Sequence, residues 1–148
     1  MLACGLIVNA YDPSVKARKQ LLSNTKTALK SLQRLGLNKN AKLSNLNIYS
    51  NLRESLHSTT FVQENAPENE KLKKKLLKDI DKLLPKNIII ASSSSGLLPT
   101  RIQSLCNYPE RVCIGHPFNP VYLLPLVELV SGKQTKKNTI TRAKKFYE

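Results

Sequence analysis

Residues 87–91, with the sequence NIIIA, constrain the fold more than any other stretch of this chain. Three consecutive β-branched residues followed by alanine leave no polar face toward solvent, which is typical of a central strand in a parallel sheet covered on both faces. The stretch runs directly into four serines and Gly96, so the strand ends in a turn. Because parallel strands need long crossover connections, usually helices, the stretch predicts an α/β fold.

Apolar segments and amphipathic segments alternate along the rest of the chain. The apolar segments predict strands at residues 5–11, 46–50, 60–63, 87–91, 111–116 and 125–130. The amphipathic segments predict helices at residues 14–35 with Gly36 as the C-terminal cap, and at 52–57, 68–84, a short one starting at Pro99, and 135–147. This order predicts one domain with an open, doubly wound α/β sheet, where ligands bind at the carboxyl ends of the strands. Asp12, Ser95 and His116 follow or end such strands.

The net charge of +14 raises the alternative of a basic nucleic-acid-binding module. Many of the lysines, however, lie in residues 70–84, where they are expected to fill the helix face opposite an apolar stripe. That predicted stripe consists of Leu72, Leu76, Leu77, Ile80, Leu83 and Leu84. Aromatic residues, which stack on bases, are few and are not interleaved with the charges. The composition therefore favours a solvated helix face and no nucleic-acid partner.

The three cysteines, Cys4, Cys106 and Cys113, are odd in number and scattered, so they predict neither a disulfide framework nor a metal site. No apolar run approaches the ~20 residues that span a bilayer. The first residues also lack the basic region of a secretory signal. These features predict a soluble, cytoplasmic protein with no membrane partner.

The stretch GHPFNPVYLLPLVELV, residues 115–130, places Glu128 inside an apolar run, where a carboxylate needs a partner. His116 ends the preceding apolar run, and residues 117–125 are long enough to bring the second run back antiparallel to the first. A histidine held by a carboxylate through one ring nitrogen is a good general base. Two interpretations stay open on spacing alone. Glu128 is either a buried partner of His116, or it faces solvent on an edge strand while His116 merely ends a strand.

Four segments together resemble one family. They are FVQENAPE, IIIASSSSGLLP, PERVCIGHPFNPVYLLPLVELV and the aspartate of AYDP, and they resemble the 3-hydroxyacyl-CoA dehydrogenase family along essentially the whole chain. The resemblance implies a Rossmann-like, mostly parallel sheet that binds NAD. It also implies oxidation of the 3-hydroxyl of a small hydroxy acid, such as L-carnitine, or of a 3-hydroxyacyl-CoA. Relatives of full length are implied to be homodimers.

The resemblance assigns four catalytic residues. His116 is implied to be the general base and Glu128 the carboxylate that orients it. Ser95 is implied to hydrogen-bond the substrate oxygen and to approach the nicotinamide ribose. Asn119 is implied to help hold the nicotinamide and the reacting oxygen.

The resemblance also assigns binding residues. Asp12 is implied to accept hydrogen bonds from the adenosine ribose of NAD, and Glu68 and Lys73 match the pair beside the nicotinamide half. Tyr122 is the best aromatic candidate to line a substrate pocket, with Phe118 next, because aromatic faces hold the trimethylammonium group of carnitine. The alternative for both rings is that they simply pack the turn.

One element of the resembled family is missing from the sequence, because the Gly-x-Gly-x-x-Gly turn that cradles the cofactor pyrophosphate does not occur. The first residues, MLACGLIV, look like the end of the helix that follows that turn. We therefore expect residues 1–148 to form a partial NAD-binding domain that lacks the first strand, that turn and the C-terminal helical domain. The corresponding alternative is a non-catalytic remnant unable to bind NAD.

Overall fold

Two compact units make up the chain, Met1–His57 and Ser58–Glu148. The computed structural model describes residues 1–33 and 36–148. The predicted end of the first helix at Leu35 therefore lies outside the described residues.

The first unit contains a two-stranded parallel sheet. Its elements are β1 (Val8–Tyr11), α1 (Val15–Gln33), β2 (Leu46–Tyr49) and the short helix α2 (Leu52–Ser55). β1 pairs with β2 in parallel, from Val8 opposite Leu46 to Tyr11 opposite Tyr49. The strand predicted from residue 5 begins later, because Gly5 closes a 3₁₀ turn at Leu2–Cys4 with a φ of 84°, a left-handed conformation that regular strands do not adopt.

The second unit contains a four-stranded sheet in the order β3-β4-β5-β6. Its elements are β3 (Phe61–Glu64), α3 (Glu70–Leu83), β4 (Ile89–Ser92), α4 (Pro99–Ile102), β5 (Val112–Pro117), β6 (Val127–Ser131) and α5 (Lys137–Tyr147). β3, β4 and β5 run parallel, and β6 returns antiparallel to β5. The α/β fold with a mostly parallel sheet that the sequence predicts is therefore confirmed.

The core lies in the second unit, around β4. All four residues of β4 are buried, as the run of isoleucines predicts for a central strand. Side chains alternate between the two faces of the sheet, and Ile89 and Ala91 pack with Cys113 against Ala143 of α5. Ile90 and Ser92 belong to the opposite face and are buried as well.

Helix α3 buries part of the predicted apolar stripe and, in addition, one lysine. Leu77 and Ile80 are buried as expected, but Leu72 is exposed and the fully buried side chain one position later is Lys73. Residues 73, 77 and 80 follow the spacing of one helix face. The expectation that the lysines all fill the solvated face is wrong at Lys73, because a buried carboxylate on β3 gives its ammonium group a partner.

The described part of the chain offers neither a membrane-spanning helix nor a metal-binding cluster. None of the described helices combines the length and the apolar character needed to cross a membrane. Within residues 1–33 and 36–148, the acidic, histidine and cysteine side chains form no group of three or more that could hold a metal ion.

Candidate active site

The candidate site lies at the carboxyl ends of the parallel strands in the second unit. β3 ends at Glu64, which pairs with Ser92 at the end of β4, and Ser92 pairs with Ile114 of β5. β5 continues for three residues beyond Ile114 and so carries His116 out past the other two strands. Parallel strands bring these ends to one edge of the sheet, where open α/β sheets bind their ligands.

His116 and Glu128 are directly opposite each other across β5 and β6. His116 Nδ1 and Glu128 Oε2 are 3.8 Å apart, and the side chains are 24% and 55% exposed. This distance suits an ion pair but is too long for a hydrogen bond. The Nδ1 atom is buried and has no hydrogen-bond partner among the described residues. The antiparallel return that the sequence predicts is confirmed.

The expectation that Glu128 is buried is wrong. β6 is an edge strand with β5 as its neighbour, and side chains of such a strand alternate between the packed face and solvent. Glu128 therefore faces His116 from an exposed position, which combines parts of the two interpretations that the spacing leaves open.

The carboxylate of Glu68 is held inside the turn that follows β4. Its Oε1 atom accepts hydrogen bonds from Ser94 Oγ at 2.5 Å and from the backbone N–H groups of Ser95 at 3.1 Å, Gly96 at 2.9 Å and Leu97 at 3.3 Å. Partial burial of this carboxyl opposes ionisation, but the hydrogen bonds from Ser94, Gly96 and Leu97 and the charge of Lys73 outweigh burial and lower the pKa of Glu68. Glu68 is therefore an anion at neutral pH.

Lys73 lies below this turn with its ammonium group fully buried. It donates to Glu64 Oε1 at 2.9 Å, to Glu64 Oε2 at 3.0 Å and to the carbonyl oxygen of Ala66 at 2.8 Å. Its three donors are thus used inside the protein, and Glu68 Oε2 is 3.8 Å away. A role for Lys73 in cofactor binding stays a prediction, and these contacts favour an indirect one.

The remaining predicted residues of the second unit lie at exposed positions. Ser95 is exposed in the turn after β4, and Asn119 is exposed after β5. Phe118 and Tyr122 are 40% and 44% exposed, and the Phe118 ring is 5.3 Å from the His116 ring. One aromatic side chain is therefore already beside the histidine.

Asp12 belongs to the first unit and directly follows β1. Its Oδ1 atom accepts a hydrogen bond from the N–H of Ser14 at 2.8 Å, and Arg18 Nη1 donates to its carbonyl oxygen at 2.6 Å. These bonds fix the turn at the carboxyl end of the strand. A carboxylate in this position of a nucleotide-binding unit accepts from ribose hydroxyls.

A mostly parallel sheet with polar side chains gathered at the carboxyl ends of its strands is the architecture of dinucleotide-binding domains. The pattern of the family described as 3-hydroxyacyl-CoA dehydrogenase, NAD binding domain, matches residues 1–148. The chain belongs to this family, and its cofactor is NAD.

Similar proteins agree with this assignment. The chain is 42% identical over 147 residues to an L-carnitine dehydrogenase of Oceanobacillus iheyensis, which covers 99% of this chain and 48% of the relative. It is 44% identical over 146 residues to an L-carnitine dehydrogenase of Burkholderia mallei, covering 99% of this chain and 46% of the relative. The chain thus spans about half the length of these curated relatives.

Solved structures show the same fold. A (S)-3-hydroxybutyryl-CoA dehydrogenase from Ralstonia eutropha superposes with a TM-score of 0.86 at 30% identity, covering 99% of this chain and 54% of that one. A 3-hydroxybutyryl-CoA dehydrogenase from Escherichia coli gives a TM-score of 0.84 at 26% identity, covering 93% of this chain and 30% of that one. The Rossmann-like fold that the sequence implies is therefore confirmed.

Sequence reasoning missed Glu64 and Ser92, which connect the candidate site to the interior. Both are buried, and Ser92 Oγ donates to Glu64 Oε2 at 2.5 Å. A signal was present, since Glu64 ends a β-branched and aromatic strand in the same way that Glu128 lies within one. Its partners are 9 and 28 residues away in sequence, too far for a local pattern to pair them.

Proposed function

We propose that the chain supplies part of the cofactor site and the general base of a dehydrogenase that oxidises the 3-hydroxyl of a small hydroxy acid. L-carnitine is the proposed substrate, and a 3-hydroxyacyl-CoA is the second candidate. The observation that most directly supports the proposal is the cross-strand pair of His116 and Glu128, in which the buried Nδ1 is 3.8 Å from Oε2.

The orientation of this pair selects the reactive nitrogen of His116. A proton on Nδ1 is attracted by the Glu128 carboxylate, which leaves the lone pair on Nε2. Nε2 then accepts the proton of the substrate hydroxyl, and Glu128 stabilises the imidazolium that results. Because Glu128 is 55% exposed, its attraction is weakened by water unless substrate or another segment covers the pair.

NAD, when bound, would be the oxidant, taking up the hydride from the carbon that carries the hydroxyl. The chain's own residues suit this cofactor in two places. The Asp12 carboxylate, at the end of β1, is an acceptor for the ribose hydroxyls of the adenosine half. Ser95 and Asn119 are exposed polar residues after β4 and β5, and we assign them to the substrate oxygen and the nicotinamide half. We assign Glu68 to the nicotinamide side as well, and Lys73 to an indirect role there, because its ammonium group is buried.

The choice of L-carnitine rests on two observations. Curated relatives at 42% and 44% identity are named L-carnitine dehydrogenases. In addition, Phe118 and Tyr122 present exposed aromatic rings, and such rings attract a trimethylammonium group. A homodimeric whole protein in the cytoplasm, acting on this small molecule and not on nucleic acid, completes the proposal. The cysteines are free thiols, as is usual in a reducing compartment.

A chimera tests the proposal. In it, residues 1–148 replace the matching segment of the Oceanobacillus iheyensis L-carnitine dehydrogenase, and oxidation of L-carnitine is followed by NADH absorbance. His116→Gln should lower kcat by about 10²–10⁴-fold, the usual contribution of a general base, with little change in NAD affinity. His57→Gln, at the other histidine of the chain, is the matched control. An unchanged kcat in the His116 variant would remove this residue from the mechanism.

The same chimera tests the second member of the pair. Glu128→Gln should lower kcat less than His116→Gln does, because the base remains and only its counter-charge is lost. A Glu128→Gln variant with the kcat of the unaltered chimera would show that the cross-strand pair is not used. A preference for 3-hydroxybutyryl-CoA over L-carnitine would reject the substrate and leave the base assigned.

A further inference from the structure

Glu64 is a buried carboxylate that the proposed chemistry does not use. Its side chain is 1% exposed, and the ammonium group beside it, from Lys73, is 0% exposed. Removing two charges from water is unfavourable unless their remaining hydrogen-bonding positions are filled. Here they are filled, because Glu64 also accepts from the N–H of Ala66 at 2.5 Å and from Ser92 Oγ at 2.5 Å.

A continuous series of hydrogen bonds leads from Glu64 to the turn that carries Ser95. Ser92 Oγ donates to Glu64 and accepts from the buried N–H of Ser94 at 3.4 Å. Ser94 Oγ in turn donates to Glu68, whose carboxylate collects the N–H groups of residues 95–97. The backbone oxygen of Glu64 also accepts from the N–H of Ser93 at 2.8 Å. Every residue from 92 to 97 is thereby connected to Glu64 or Glu68.

We propose that Glu64 and Ser92 are positioning residues for Ser95, holding the turn of residues 92–97 in the conformation that presents the Ser95 hydroxyl to the reaction. This inference rests on the proposed function, in which Ser95 contacts the substrate. Glu64 and Ser92 are buried, touch neither substrate nor cofactor, and act through the turn.

The geometry explains why the effect should be local. Ser92 is the last residue of β4 and its backbone is paired on both sides, to β3 and to β5. Loss of its hydroxyl leaves these ladders and the Glu64–Lys73 ion pair in place. Two groups lose a partner: Glu64 Oε2, which keeps Lys73 as a donor, and the buried N–H of Ser94, one residue before Ser95. Loss of a hydroxyl that only stabilises the fold would lower protection from amide exchange equally throughout the unit. Loss of a positioning hydroxyl lowers this protection first in residues 94–97.

Amide hydrogen exchange of the chain, measured by NMR, separates these two cases. Ser92→Ala should raise exchange at residues 94–97 by about tenfold, as expected for one buried hydrogen bond, and leave β4 and β5 unchanged. Ser93→Ala, which removes the neighbouring hydroxyl and keeps the backbone bond to Glu64, should leave the turn unchanged. Equal loss of protection throughout the second unit, or none in the turn, would overturn the proposal.

The titration of Glu68 gives an independent spectroscopic signature. Opening the turn removes the hydrogen bonds that lower the pKa of Glu68, so in Ser92→Ala this pKa should rise toward its ordinary value. Ser93→Ala should leave it as it is. A Glu68 pKa that is the same in both variants would count against a connection between Ser92 and the turn.

Activity of the chimera completes the test. Ser92→Ala should lower kcat by about tenfold, which corresponds to one lost hydrogen bond, and leave KM for NAD within about twofold. Glu64→Gln should lower kcat at least as much. Thr139→Ala is the matched control, because the buried Thr139 hydroxyl donates to the carbonyl oxygen of Glu110 at 2.7 Å and lies near the opposite end of β5. Equal kcat values in Ser92→Ala and Thr139→Ala would overturn the proposal.

The experiments separate failure of this inference from failure of the proposed function. If His116→Gln keeps full kcat while exchange in the turn responds only to Ser92→Ala, the mechanism is wrong and the turn is still held by Glu64 and Ser92. If His116→Gln loses kcat while Ser92→Ala changes neither exchange nor kcat, the mechanism stands and the positioning role is rejected.

Discussion

Replacement of Arg111 by methionine should destabilise the chain strongly. The guanidinium group is buried against Asp81, with Nε and Nη2 at 3.0 and 2.7 Å from Oδ1. It also donates to backbone carbonyls at the end of α3, including that of Asp81 at 2.6 Å. These are the carbonyl groups that a helix leaves without intrahelical partners. Arg111 is thus both an ion-pair partner and the cap of α3.

The size of the effect follows from what remains after the replacement. Asp81 keeps the N–H groups of Asn107 at 2.6 Å and Tyr108 at 3.3 Å, but its charge is left buried without a counter-ion. Breaking a buried pair from one side typically costs ~3–5 kcal/mol. A domain of this size has a total stability of roughly 5–15 kcal/mol. Arg111→Met should therefore remove about a fifth of it or more.

Urea denaturation followed by circular dichroism measures the free energy of unfolding. Arg111→Met should lower the midpoint without changing the slope, and the double replacement Asp81→Leu with Arg111→Met should recover part of the loss, because no buried charge remains. Lys136→Met is the control, since its ammonium group is 70% exposed and 3.8 Å from Glu110, and it should change stability by less than ~1 kcal/mol. A loss below ~1 kcal/mol in Arg111→Met would refute the reasoning.

Three further predictions concern single groups. Burial raises the pKa of Cys113 to about 12, and burial together with the charge of Asp81 raises the pKa of Cys106 to about 12. At pH 8 a thiol reagent should therefore label Cys4 in the folded chain and the other two cysteines only in urea. Prompt labelling of all three in the folded chain would contradict this. The pKa of Glu68 is lowered from 4.5 in the folded chain, so its contribution to stability is present above its unfolded pKa and is lost as pH falls through its folded pKa. Glu68→Gln should therefore make the free energy of unfolding less dependent on pH below about pH 4.5. An unaltered acid profile would contradict the hydrogen bonds assigned to Glu68. Tyr122→Leu in the chimera should raise KM for L-carnitine by about 2–30-fold, as loss of one cation–π contact implies, and leave NAD binding intact. An equal rise in KM for L-carnitine and for NAD would show that the ring only packs the turn.

The sequence predicts the fold well where the local pattern and the final environment agree. Ile89, Ile90 and Ala91 are apolar on both faces and become the buried centre of the sheet. His116 and Glu128 end up opposite each other, because the segment between them is long enough for an antiparallel return. At these positions the sequence predicts which strands form and that β6 returns beside β5.

The sequence fails where a long-range partner decides the environment. The helix pattern predicts that Lys73 is solvated, because it is one lysine among many in α3. In the folded chain Glu64 of β3 lies beside it and makes its burial favourable. For Glu128 the spacing leaves burial and exposure both open, and its position on an edge strand decides for exposure. Neither outcome follows from periodicity, since each depends on which element lies beside the residue in the folded sheet.

Two buried ion pairs occupy opposite ends of the parallel strands, and their different surroundings give them different roles. Arg111 immediately precedes β5, and beyond Asp81 it is bonded to backbone carbonyls at the end of α3, so apolar replacement of both partners removes the buried charges and the cap of α3 but no contact to the turn of residues 92–97. Glu64 ends β3 and is bonded to Ser92, from which the hydrogen bonds continue to Glu68 and the turn. Apolar replacement of Glu64 and its lysine can restore stability, but it leaves the Ser92 hydroxyl without an acceptor and the turn without its support. The Asp81–Arg111 pair at the amino ends of the strands therefore contributes to stability. The Glu64–Lys73 pair lies at the carboxyl ends, where ligands bind, and there it also sets the geometry of the site.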